Sequence, residues 1–195
     1  MVEETRDRIM EATYQALCEH GYASLTMQDI ADECDCSKSL LHYHFDTKED
    51  LLVALLAHLI ERFEERVSPS EEAPRDRLRD LVDLFCFGGD RTREDHRGFH
   101  TALLELRAQA PHNDAFRSQL AENDAQVHAI MTAVIERGID DGRFREVDAA
   151  RTAAHILAAI QGARIRWVTL GHDDGIEAVH DALVEDVIDG WLVVE

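Results

Sequence analysis

The chain has almost no lysine. Of its 20 basic residues only Lys38 and Lys48 are lysines, set against 40 acids for a formal charge of −20 over 195 residues. Proline is nearly as scarce, at Pro69, Pro74 and Pro111, so little obstructs long helices. No convincing strand pair or hairpin turn occurs, which removes the case for a sheet. No stretch of eighteen apolar residues occurs, which excludes a membrane-spanning helix. The opening MVEETRDRIMEA is charged at once and has no signal-peptide core, so the expected location is cytoplasmic. Four cysteines (Cys18, Cys34, Cys36 and Cys86) are too few and too scattered for a disulfide framework. The Cys34-x-Cys36 spacing suits neither a zinc ribbon nor a dithiol redox site, so reduced, packed thiols are expected. There is no nucleophile motif, phosphate loop or full metal constellation, so neither an enzyme nor a cofactor is expected.

What is present is acid, spread over every segment, and apolar residues at 45%, enough for a core. An acidic, lysine-poor surface suits concentrated salt, where the Debye length falls to about 3 Å at 1 M and self-repulsion is screened. A halophilic protein is therefore expected.

Apolar spacing gives an all-α chain of about nine helices. Ile9, Ala12, Ala16 and Leu17 mark a helix from Thr5 to about His20, stopped by Gly21. Thr26 and Asp29 form a capping-box start for a short second helix. CDCS breaks it, and Ser37 opens a third through His44. Asp46 or Thr47 then caps a long helix from about Lys48 to Arg66, with Leu51, Leu52, Leu55, Leu59 and Phe63 inward. After a linker-like break at 68–76, helices are expected at about 75–87, 95–110, 113–140, 148–170 and 174–192.

Two short helices over a tight turn, backed by a longer one, make a helix-turn-helix pattern, whose second helix enters a major groove. Leu41 and Phe45 should anchor its inner face. Lys38, Ser39 and His42 lie on another face, and Ser37 sits where helix N–H groups meet a phosphate. Lys48 starts the next helix, in reach of the flanking DNA backbone.

The stretch LTMQDIADECDCSKSLLHYHFDTKEDLLVALL resembles the TetR family of DNA-binding repressors. The likeness is specific over about residues 5–60 and architectural beyond. It implies DNA contacts at Thr26, Gln28, Lys38, Ser39, His42, Tyr43, His44 and Lys48, a division into a DNA-binding part at 1–47, and an effector-binding and dimerising part at 48–195. The chain departs from the family pattern at Asp35, where a turn glycine is usual, and at Cys34 and Cys36, which replace alanine-like and valine-like core residues. It also departs at Ser39, where glycine is common, and at His42, where tyrosine is common.

Electrostatics set this chain apart from ordinary DNA binders. Residues 1–50 hold twelve acids and four bases (Arg6, Arg8, Lys38, Lys48), a net of 4 − 12 = −8. Ordinary binding weakens by about 0.9 log units per neutralised phosphate per decade of salt. A flatter or reversed slope is expected here.

In the larger part, the small residues of 148–170 and the stripe Ile176, Val179, Leu183, Val187, Trp191 suit a four-helix interface between two copies through the last two helices. A homodimer also matches a palindromic operator. The resemblance implies a small-molecule effector pocket, with candidate lining from Phe99, His100, Leu103, Leu104, Arg107, Phe116, His128, Met131, Ile135, Arg164 and Trp167. Arg107, Arg164 and Arg166 would suit an anionic ligand or stand in surface ion pairs. His96 and His100, one turn apart, could hold a metal, but a third ligand is not evident, so no metal is assigned. A metal-responsive regulator and one without an effector remain the alternatives.

Overall fold

A computed structural model describes residues 2–67, 72–89 and 92–194, with side chains from residue 5 onward. Among these the chain forms nine α-helices, the last continued by a π-helical segment. The only strand-like feature among the described residues is a single antiparallel bridge between Phe144 and Val193.

Helix α1 spans Val2–Ser24 and kinks at Gly21, where φ is 69° and ψ 161°. Glycine is required there twice over, because a Cβ would also stand 3.0 Å from an Oε2 of Glu105. Next come α2 (Met27–Glu33), α3 (Lys38–His44) and α4 (Lys48–Arg66). All three expected start signals operate. Thr47 and Asp50 repeat the reciprocal Thr26–Asp29 arrangement, so Thr47 rather than Asp46 caps α4. The α4 residues buried are Leu51, Leu52, Leu55, Leu56 and Ile60. Leu59 and Phe63, expected inward, are only half-buried; Leu59 packs against the edge of the core shared with α1, whose fully buried α4 members end at Leu56.

Helix α5 spans Pro74–Phe87, with proline in its first turn where no N–H is missed. It ends at left-handed Gly88, whose N–H meets the Leu84 carbonyl. Part of the expected linker, 68–71, lies outside the described residues. Helices α6 (Arg93–Gln109), α7 (Asp114–Asp140) and α8 (Ala149–Leu170) follow, with Asp148 capping α8 and Gly171 closing it. Helix α9 (Asp173–Asp181) runs into the π-helical segment Ala182–Leu192.

That segment redirects the last apolar stripe. Ile176 and Leu183, expected in an interface between two copies, are buried within the chain itself, whereas Val179 and Val187 are half-buried and Trp191 is exposed. In a π-helix bonds run from i to i+5, as in Val193 N–H to the Ile188 carbonyl, so each turn takes up an extra residue. Burial shifts to Val184, Ile188 and Leu192.

The chain divides into two compact units, Met1–Arg66 with Thr101–Asn123, and Val67–His100 with Asp124–Glu195. In the first, α1 to α4 close over Ile9, Met10, Leu17, Ile30, Leu41, Leu52 and Leu55, joined by Leu106 and Phe116. In the second, α5, α8, α9 and the π-helical segment bury Leu78, Leu81, Ile156, Ile160, Trp167, Ile176 and Ile188.

Candidate DNA-binding corner and helical body

The corner is assembled by short-range chemistry. The Thr26 hydroxyl accepts the Asp29 N–H at 3.3 Å, and the Asp29 carboxylate accepts the Thr26 N–H at 2.8 Å. The Thr26 hydroxyl also donates to that carboxylate at 2.7 Å, and this bond, then the one from the Thr26 N–H, holds the Asp29 carboxyl below the usual carboxylate range. The turn then needs one left-handed residue, and Asp35 supplies it with φ 50°. Aspartate tolerates this backbone better than most side chains, which explains how the turn forms without glycine. Cys34 is buried and Cys36 half-buried. Burial, then a hydrogen bond with Cys34, pushes the Cys36 thiol up to about 11. A thiol this reluctant to ionise is a poor nucleophile.

The Ser37 hydroxyl accepts the Leu40 N–H at 3.2 Å, capping α3. Leu41 is completely buried and Phe45 half-buried, so α3 is pinned from beneath. Lys38, Ser39, His42, Tyr43 and His44 are exposed, Tyr43 at 83%. Thr26 and Gln28 are exposed beside them on the α2 side, with the Gln28 amide donating to Asp32 at 2.7 Å.

Lys48 has a different position. Its ammonium turns inward, donating to the carbonyls of Tyr22 at 2.9 Å and Leu25 at 3.0 Å. It also sits 4.5 Å from the centre of the Tyr22 ring. The kink at Gly21 leaves those carbonyls without helical partners, and Lys48 satisfies them. Around it, the Glu105 carboxylate accepts the Tyr22 N–H at 2.5 Å, and Phe116 packs edge-on to Tyr22. Burial, and then Glu49 beside it, raise the Tyr22 phenol above its ordinary range. Nothing in the sequence signalled this junction, since its members lie up to 94 positions apart.

The expected effector-lining residues are not one group. In the second unit His96 and His100 are buried and stack edge to face at 4.4 Å, with His96 5.6 Å from Trp167 and Phe99 against His100. Met131 and Ile135 are also buried there. Leu103, Leu104, Arg107 and Phe116 belong to the first unit, where Arg107 is exposed and Phe116 is core. His128 meets the Ala150 carbonyl at 2.9 Å. Arg164 reaches back to the Phe85 carbonyl at 2.7 Å and stacks over the Phe85 ring. Arg166 lies 3.3 Å from a nitrogen of His172. Among the described residues no three potential metal ligands gather. Nor is any helix there long and apolar enough to cross a membrane.

A short helix held over a left-handed turn, its apolar side locked and its polar side outward, defines a helix-turn-helix DNA-binding protein. Residues 9–55 match the model of bacterial regulatory proteins of the tetR family, and residues 74–192 match that of the BetI-type transcriptional repressor C-terminal region. The chain belongs to the TetR family of transcriptional regulators. It is similar to a TetR transcription regulator from Haloarcula marismortui, with 39% identity, TM-score 0.86, and 97% of this chain and 99% of that one covered. A regulator from Saccharomonospora viridis in complex with choline shares the fold at TM-score 0.82 and 24% identity, covering 99% and 100% of the two chains. The transcriptional regulator TtgR of Pseudomonas putida is 28% identical, covering 97% of this chain and 90% of that protein.

Proposed function

We propose that the protein is a repressor that binds a palindromic operator as a homodimer and is released by a small-molecule effector. The observation that carries this is the outward face of α3, with Lys38, Ser39, His42, Tyr43 and His44 all exposed above a buried Leu41. Thr26 and Gln28 would flank the groove. Ser37 would present the α3 N-terminus to a phosphate, and Lys48 would shape the adjoining backbone rather than lead the contact. In this reading 1–47 reads DNA and 48–195 senses the effector and dimerises.

Dimerisation is supported by the outer face of α8. Ala150, Ala154, Ala158 and Gly162 recur every fourth residue and are exposed, and Ile165 and Leu170 extend the stripe at 48% and 61% exposure. Such a face lets a second helix approach closely. Effector binding is supported by the cluster of His96, Phe99, His100 and Trp167, with Met131 buried in the same unit. The Saccharomonospora relative with choline bound makes a ligand-responsive body reasonable, without fixing the ligand here. We also infer operation in concentrated salt, given the −20 charge.

Selection of binding sites from random duplex DNA in 1 M KCl tests the central reading. Wild type should enrich an inverted repeat, and Lys38→Ala should lose that enrichment. Equal enrichment by both proteins would refute the assignment of α3 to the groove. Sedimentation of the free protein as a monomer at micromolar concentration would refute the dimer.

A further inference from the structure

The groove face of α3 carries less permanent charge than its sequence suggests. Lys48 commits its ammonium to the Tyr22 and Leu25 carbonyls, which leaves Lys38 as the lysine on the outward face. The remaining groups on α3 able to carry positive charge are His42 and His44, both exposed. His42 lies one helical turn beyond Lys38, on the same strip. His44 packs edge-on against the exposed Tyr43 at 5.1 Å and tilts toward Phe45 at 6.3 Å.

We infer that operator binding takes up protons, with His42 and His44 becoming charged as α3 enters the groove. This rests on the assignment of α3 to DNA made above. Histidine is the side chain that ordinarily gains charge between pH 8 and 5. Lys38 stands four residues before His42 on the same face of α3. In the groove, phosphates favour imidazolium at both positions. A protein of net charge −8 over its first fifty residues has few other ways to match the DNA charge locally.

Other charged groups adjoin α3. From α2 and the turn these are Asp29, Asp32, Glu33 and Asp35. From the turn into α4 and the start of α4 they are Asp46, Glu49 and Asp50, and from α1 Arg8 acts on Cys36 and His20 acts on Asp29. Asp29, Asp32 and Asp50 hold hydrogen bonds with Thr26, Gln28 and Thr47. Carboxylates and arginine keep their charge across pH 6 to 8.5, and a thiol pushed up to about 11 stays neutral. The imidazoles therefore dominate any change with pH in that range.

The sign follows from linkage. If the complex holds more protons than its free parts, affinity is highest at low pH and falls as pH rises. Each proton taken up steepens the fall by about tenfold per pH unit, so two give at most about a hundredfold per unit.

The test is fluorescence anisotropy with a labelled duplex enriched in the selection, at fixed KCl from pH 6.0 to 8.5. Wild type, His42→Gln, His44→Gln, the double variant and His20→Gln as control are compared, with folding verified by circular dichroism. Proton uptake is read independently by calorimetry in buffers of differing ionisation enthalpy. The expected result is a steep loss of wild-type affinity with pH, shallower slopes in each single variant, and a flat profile in the double variant. A flat wild-type profile on an enriched duplex would overturn the inference while leaving the operator reading intact, and His42 and His44 would then read bases as neutral rings. An unchanged slope in the double variant would overturn it as well. Failure to enrich any duplex would overturn the operator reading itself.

Discussion

The DNA-binding corner and the second unit are held together at different sequence distances. In the corner, the capping contacts that start each helix join residues three positions apart: Thr26 with Asp29, Ser37 with Leu40, Thr47 with Asp50. In the second unit they span much more of the chain. Arg164 meets Phe85 across 79 positions, Arg93 meets Glu177 across 84, His180 meets Asp83 across 97 and Arg75 meets Asp189 across 114. A short-range bond forms as soon as its helix does. A long-range bond is made only once the chain has folded back, and pays the entropy of closing that loop. The corner should therefore resist local damage less well than global stress, and the second unit the reverse.

The largest effect expected is in the corner's one deep anchor. Leu41 is fully buried beneath α3. Truncation to alanine should cost about 2–5 kcal/mol, from lost burial and the cavity left behind. Urea denaturation measures it, and DNA binding should disappear with it. A loss under about 1 kcal/mol would mean that α3 is held chiefly by its caps, against the burial argument.

The matching break in the second unit is Gly88→Ala. Gly88 ends α5 at φ 80°, and a Cβ there would come within 2.4 Å of His96 Nδ1. Backbone strain and displacement of the imidazole together should cost about 1–3 kcal/mol. Because His96 stacks on His100 and lies near Trp167, the near-ultraviolet circular dichroism of the tryptophans should change as well. Thr26→Ala comes next, at about 1 kcal/mol for a lost N-cap. Its signature is local: hydrogen exchange should quicken in α2 and not in α8.

This contrast in sequence distance also decides what could be read from sequence. Thr26, Asp29, Ser37 and Thr47 carry their structural roles in their immediate neighbours, so the corner and most helix starts were legible. The π-helical winding after Asp181 was not, because ordinary helical periodicity put Trp191 on one stripe with Ile176 and Leu183, from which the winding separates it. The inward contacts of Lys48 were not legible for the same reason. Its position at the start of α4 pointed toward DNA, yet its ammonium is held by Tyr22 and Leu25, more than twenty positions earlier. The candidate effector residues on α6 were grouped as one lining, but His100 and Thr101 fall in different compact units.

A pH titration sharpens the comparison in the second unit. His180 stands between two carboxylates, 2.5 Å from Asp83 and 2.9 Å from Asp181. Burial alone would lower its pKa, but the hydrogen bonds to Asp181 and Asp83 outweigh it and the net shift is upward. A raised folded-state value means the stabilisation is full below the ordinary histidine range near pH 6.5 and fades as pH rises through the shifted value. The urea midpoint of wild type should therefore fall between neutral and alkaline pH relative to His180→Asn. Parallel midpoints for the two proteins across that range would remove the imidazolium from the α5–α9 contact.

The smallest effect separates the two kinds of contact by salt. Arg75 and Arg79 both approach Asp189, at 2.8 and 3.6 Å, and both arginines are well exposed. Their attraction holds Asp189 below the usual carboxylate range, chiefly through the Arg75 hydrogen bond. Exposed pairs contribute little, and at 1 M salt the Debye length of about 3 Å is comparable to the pair distance. Arg75→Ala should lower the urea midpoint slightly in dilute buffer and not at all in 1 M KCl. The Thr26→Ala loss, which rests on a hydrogen bond from a neutral hydroxyl, should be the same in both. If the Arg75 effect persisted in molar salt, the pair would have to act through packing of its aliphatic stem against the π-helical segment, and Arg75→Met, which keeps the stem without the charge, should then restore the midpoint.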